Sequence, residues 1–130
     1  MMKKLLVVDD NVSFLKQVSV LLEGQYELFL TKSGAMALKI GAQEKPDLIL
    51  LDVEMPEMDG FETIARLKKE AWFGSTPVVF ISGNQDEATK AKAFESGAAD
   101  IISKPVEKEI LLNRIELNMR DSGDAAKGQP

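Results

Sequence analysis

Five short apolar runs recur along the chain: Leu5 to Val8, Tyr26 to Leu30, Leu48 to Leu51, Val78 to Ile81, and Ala99 to Ile102. They are Leu-rich or β-branched and lack strict alternation, the pattern of strands covered on both faces, as in a parallel sheet. The segments between them carry helical spacing. Phe14, Leu15, Val18, Leu21 and Leu22 share one face and end near Gly24. A second helix is expected over about 33–42, with Ser33 as N-cap and Ala35, Leu38 and Ala42 inward. Others are expected over about 61–71, 85–96 and 107–119, the last with Leu111, Leu112, Ile115 and Met119 as its buried stripe. Gly24, Gly97 and the run Gly74-Ser75-Thr76-Pro77 fall where helices should stop and turns begin.

Strand and helix thus alternate five times, which predicts an α/β fold: a flavodoxin-like, doubly wound five-stranded parallel sheet with five helices, (βα)5. The domain is expected over residues 1–120. Residues 121–130 are small and polar with no apolar anchor and read as a disordered tail or truncated linker. In this architecture ligands bind at the carboxyl ends of the strands, so chemistry is sought there.

Composition narrows the chemistry. At 130 residues, 45% hydrophobic and 28% charged, the chain is an ordinary single globular domain. It has no histidine and no cysteine, which removes Ser-His-Asp and Cys-His catalysis, His- or Cys-built zinc sites and disulfide redox. A net charge of −5 disfavours nucleic acid or an anionic membrane as direct partner. The apolar stretch after Met-Met-Lys-Lys is too short for a signal peptide or a membrane span, so a cytoplasmic location is expected. Trp72 and Phe73 are expected to pack over the sheet edge rather than to form an exposed interface.

The strand ends carry Asp9 and Asp10, then Asp52, Ser82 and Lys104. Converging carboxylates repel one another and call for a cation. An all-oxygen ligand set suits a hard ion such as Mg²⁺. Three aspartates, a divalent ion and Lys104 leave a neutral site that can admit a phosphoryl group. Asp52 is ionised at neutral pH and needs no general base, so it is the best nucleophile, and its product would be an aspartyl-phosphate. Lys104 and the Ser82 hydroxyl would then stabilise the transferring oxygens.

The pieces Leu-Val-Val-Asp-Asp-Asn (6–11), Leu-Leu-Asp-Val-Glu-Met-Pro-Glu-Met-Asp-Gly (50–60), Phe-Ile-Ser-Gly (80–83), Gly-Ala-Ala-Asp (97–100) and Lys-Pro (104–105) stand in one order and spacing. Together they resemble the receiver domain of two-component response regulators, over about residues 3–120. The resemblance implies that Asp52 is the phosphoacceptor and that Asp10 and Asp52 ligate Mg²⁺, with Asp9 acting through water and the Glu54 backbone carbonyl as a further ligand. It implies that Ser82 and Lys104 engage the phosphoryl oxygens and that the Lys104-Pro105 bond is cis. It also implies a regulatory phosphoacceptor rather than a turnover enzyme, one that catalyses its own phosphorylation and slow autodephosphorylation. The donor would be a sensor histidine kinase or histidine phosphotransfer protein acting in trans. The output would be a downstream effector or linked output domain contacted through the fourth helix, fifth strand and fifth helix, with a homodimer left open.

Two switch positions depart from the family pattern. Ile101 stands where an aromatic ring usually reports phosphorylation, and Gly83 follows Ser82 where alanine is common. The signal is therefore expected to pass through the Ser82–Gly83 loop and the fourth helix, with Pro105 also in the switch region. Three other readings stay open. A haloacid-dehalogenase-like phosphatase would need an aspartate where Glu54 stands and acidic residues after the lysine. A flavodoxin-type nucleotide or flavin binder would have its phosphate repelled by Asp9 and Asp10. A degenerate receiver acting as a constitutive binding module would lack a site residue, and none is missing.

Overall fold

A computed structural model describes residues 2–128, with side chains described for 2–119. The elements are β1 (Lys4–Val8), α1 (Val12–Leu21), β2 (Glu27–Thr31), α2 (Gly34–Glu44), β3 (Leu48–Asp52), α3 (Gly60–Leu67), β4 (Val78–Ser82), α4 (Glu87–Glu95), β5 (Asp100–Ser103) and α5 (Lys108–Gly128). All five strands are parallel in the order β2-β1-β3-β4-β5, the flavodoxin-like order the alternation predicts.

Neighbouring residues of each strand serve opposite faces. Leu5, Val7, Leu48, Leu50, Val79, Ile81 and Ile102 pack with Phe14, Leu15, Val18, Leu111 and Ile115 from α1 and α5. Leu6, Val8, Ile49, Leu51, Val78 and Phe80 pack with Ala37, Ile64, Leu67 and Ala93 from α2, α3 and α4. β3 and β4 are buried throughout, which is why they read as unbroken apolar runs.

Helix starts follow their caps. Asn11, Ser33, Asp59 and Asp86 each accept a hydrogen bond from the backbone N–H three residues on. The fourth helix accordingly begins at Glu87, after the Asp86 cap, rather than near residue 85. The third stops at Leu67, short of the expected residue 71, because Trp72 and Phe73 fold back through turns onto the core on the α2–α4 side. Phe73 is buried and Trp72 half-buried, so they form no exposed interface, but they join the core on the α2–α4 side, with the Trp72 ring against Gly41 of α2, rather than packing over a sheet edge. The last helix continues to Gly128, well past the apolar stripe that ends at Met119. The tail reading for 121–130 falls on residues whose side chains, and at 129–130 also the backbone, lie outside the described residues. Among the described residues, no helix is long and apolar enough to cross a membrane.

Candidate functional site

Parallel register brings the strand ends level. Val8 stands opposite Leu51, Asp52 opposite Ile81, and Ser82 opposite Ser103. Three backbone hydrogen bonds carry the ladders one residue further: Asp9 N–H donates to the Thr31 carbonyl (3.0 Å), Val53 N–H to Ile81 (3.3 Å), and Lys104 N–H to Ser82 (2.9 Å). The residues that follow β1, β3 and β5 are thus rooted by the sheet itself. The β3–α3 loop is held the same way, with Gly60 N–H donating to the Val53 carbonyl at 2.8 Å. A Cβ at Gly60 would overlap the Asp52 carbonyl oxygen and the Val53 Cα, so this approach requires glycine.

Asp9, Asp10 and Asp52 each offer a carboxylate oxygen within 4.8 Å of the others. Asp9 and Asp52 are buried and Asp10 is exposed, so the trio opens to solvent on one side. The Lys104 ammonium lies 2.9 Å from Asp9 Oδ2 and 3.5 Å from Asp52 Oδ1. The first is a charge-assisted hydrogen bond and the second a looser ion pair. Burial, reinforced by the Asp9 charge, raises the Asp52 carboxyl from 3.8 to about 6, against the lowering pull of Lys104 and of a hydrogen bond from the Glu54 backbone. Burial pulls the Lys104 ammonium down, but the hydrogen bond to Asp9 and the charge of Asp52 outweigh it and leave the group above its ordinary value. A buried carboxylate held against its preference for a proton is a site that gains from a cation. The all-oxygen donor set, open on the Asp10 side, fits a hard, partly hydrated divalent ion such as Mg²⁺.

Ser82 is buried at the end of β4. Its hydroxyl donates to the Asn84 carbonyl (3.0 Å) and accepts from the Asn84 N–H (2.9 Å). Asn84 Oδ1 accepts from Asp86 N–H (3.0 Å), and Asp86 caps α4 by accepting from Thr89 N–H (2.7 Å). A continuous chain of hydrogen bonds therefore joins the Ser82 hydroxyl to the first turn of α4. Gly83 is exposed, and no neighbour lies within 4 Å of where its Cβ would stand. Ile101 is half-buried against the α2–α4 side of the core, and the Lys104-Pro105 bond is cis.

The structure brings together Asp9, Asp10, Asp52 and Lys104. It sets Ser82 on the adjoining strand end with its hydroxyl committed to its own loop. It also presents two contacts that sequence reasoning missed. Asn11 N–H donates to Asp9 Oδ1 (2.9 Å), and the Phe14 ring lies 4.6 Å from the Lys104 ammonium. Phe14 reads in sequence as one more position of the apolar stripe on α1, and nothing local marks its contact with a residue far along the chain.

Residues 5–116 match the family profile described as response regulator receiver domain. The chain is 31% identical to Protein PilH of Pseudomonas aeruginosa over 115 residues, covering 88% of this chain and 95% of PilH. It is 35% identical to the response regulator PleD of Caulobacter vibrioides over 116 residues, covering 88% of this chain but only 26% of PleD. Among solved structures, the chemotaxis protein CheY4 of Vibrio cholerae superposes with a TM-score of 0.87 at 29% identity, covering 91% of this chain and 99% of CheY4.

Proposed function

We propose, since this chain belongs to the response regulator receiver domain family, that Asp52 is its phosphoacceptor and that Asp9, Lys104 and Ser82 serve that residue. The observation that carries this reading is the Asp52 carboxylate itself: buried, within 4.8 Å of two further carboxylates, and 3.5 Å from an ammonium. Neither a phosphatase nor a flavin-binding role is favoured beside the family match.

Asp9, Asp10, Asp52 and the Glu54 carbonyl would hold Mg²⁺. Bound there, the ion supplies positive charge to the phosphoryl oxygens during transfer. A carboxylate oxygen of Asp52 bonds to phosphorus as the donor's P–N bond breaks, and the electrons of that bond leave with the imidazole of a phosphohistidine. These 130 residues contain no histidine, so the phosphohistidine of a kinase or phosphotransfer domain lies outside them. Lys104 stays on Asp9 through the reaction and places its charge against the transferred group.

The Ser82 hydroxyl turns from the Asn84 carbonyl to a phosphoryl oxygen, and this loosens the loop that caps α4. The switch therefore runs through α4 without an aromatic at Ile101. The output surface is the face of α4, β5 and α5, where Phe94, Ile110 and Leu117 are exposed, and it takes an effector or a linked output domain.

Intact-mass measurement after incubation with acetyl phosphate tests this. A single phosphoryl adduct that requires Mg²⁺ and is absent from Asp52→Asn is expected. The same adduct on Asp52→Asn, or none on the unsubstituted protein, overturns the reading.

A further inference from the structure

Four contacts close a ring around the site cation. Lys104 Nζ donates to Asp9 Oδ2 (2.9 Å), and Asp9 Oδ1 accepts from Asn11 N–H (2.9 Å). Asn11 Oδ1 accepts from Phe14 N–H (3.1 Å), and the Phe14 ring faces back to Lys104 Nζ at 4.6 Å from its centroid. The geometry points to Phe14 as a positioning residue that holds the Lys104 ammonium over the acceptor site. This rests on the reading of Lys104 as the phosphoryl-facing cation.

An ammonium on a flexible four-carbon stem has three donors and many rotamers. Here one donor is on Asp9, and the Asp52 contact at 3.5 Å is too long to fix a second. The Lys104 side chain keeps 26% of its exposure and borders an open cleft of about 360 Å³ lined by Asn11, Ser13, Phe14, Gln17 and Pro105. Without a further restraint it could turn into that cleft. An aromatic face attracts a cation within about 6 Å of its centroid through its quadrupole. A second carboxylate would restrain the ammonium too, but it would add negative charge to a site that must accept a phosphoryl group. A neutral ring restrains it without that charge. Phe14 is itself buried at 7% exposure and tied through Asn11 to the same aspartate that holds the lysine. Ring and carboxylate therefore hold the ammonium at a fixed spacing.

The test replaces Phe14 by leucine, which keeps an apolar side chain but has no π-face, by tyrosine, and by ring-fluorinated phenylalanines, which keep the shape and weaken the quadrupole stepwise. Three quantities are read: the ring-current shift and order of the Lys104 ε-methylene by NMR, Mg²⁺ affinity by calorimetry, and the labelling rate constant with acetyl phosphate. Phe14→Leu is expected to lose the upfield shift, mobilise the methylene and slow labelling about three- to tenfold, the range a partly desolvated cation–π contact supports. Mg²⁺ affinity should hold, labelling should fall in step with fluorination, and Phe14→Tyr should retain the unsubstituted rate. Labelling and methylene order indifferent to fluorination would overturn the inference while leaving Asp52 as acceptor. A native protein that accepts no phosphoryl group would overturn the site reading and this inference with it.

Discussion

Lys104 sits closer to Asp9 than to Asp52, 2.9 Å against 3.5 Å. The cation is thus anchored on a carboxylate that stays unmodified, beside the one proposed to change. On the proposed mechanism that partner would persist in the acyl phosphate, which would keep the charge in place on both sides of the switch.

Removing the ammonium should therefore be felt first by Asp9, which is 1% exposed. Lys104→Met is expected to lower unfolding free energy at pH 7 by about 1–2 kcal/mol in chelator, discounted for the lysine's own solvent contact. Urea titration checks this, and added Mg²⁺ should recover part of the loss.

The raised Asp52 carboxyl makes stability depend on pH in a defined direction. Its proton is released near 3.8 in the unfolded chain and at about 6 in the folded one. Between those values the folded state binds more protons, so stability falls as pH rises through that window and stays lower above it. The full difference corresponds to about 3 kcal/mol. In chelator, Asp52→Asn should remove this slope and be the more stable protein at pH 7.5. Denaturant midpoints from pH 4 to 8 provide the check.

Gly60 packs its Cα against the carbonyl of Asp52 and the backbone of Val53. Gly60→Ala should displace the β3–α3 loop and lower stability by about 1–3 kcal/mol, the usual cost of overpacking. The thermal midpoint should fall, and labelling at Asp52 should slow with it.

The Ser82 hydroxyl holds Asn84 by both backbone groups. In Ser82→Ala the Asn84 and Thr89 amides should exchange faster with deuterium in the unmodified protein, because the chain of bonds into the α4 cap has lost its first link. Unchanged protection at both amides would show that the loop and α4 move independently.

Much of this arrangement is visible in the sequence because parallel strands buried on both faces must read as apolar runs, and their ends must carry whatever the fold presents to a ligand. Asp9, Asp10, Asp52 and Lys104 are found that way. The limits have equally physical causes. Where α3 stops depends on Trp72 and Phe73 finding the core, a tertiary effect that helical spacing does not encode. The extension of α5 to Gly128 lacks an apolar stripe to announce it. The pairing of the Ser82 hydroxyl with Asn84 is local, but a serine at a strand end is equally consistent with facing the site. Phe14 is hidden most completely, since a ring that serves both the core and a distant ammonium has the same letter as one that serves the core alone.

The most direct measurement is chemical trapping of the modified side chain. Borohydride reduces an aspartyl acyl phosphate to homoserine, so protein exposed to acetyl phosphate and Mg²⁺, reduced and digested, should carry homoserine at position 52 and at no other aspartate. Homoserine at Asp9 or Asp10, or unchanged aspartate at all three positions, would contradict the account.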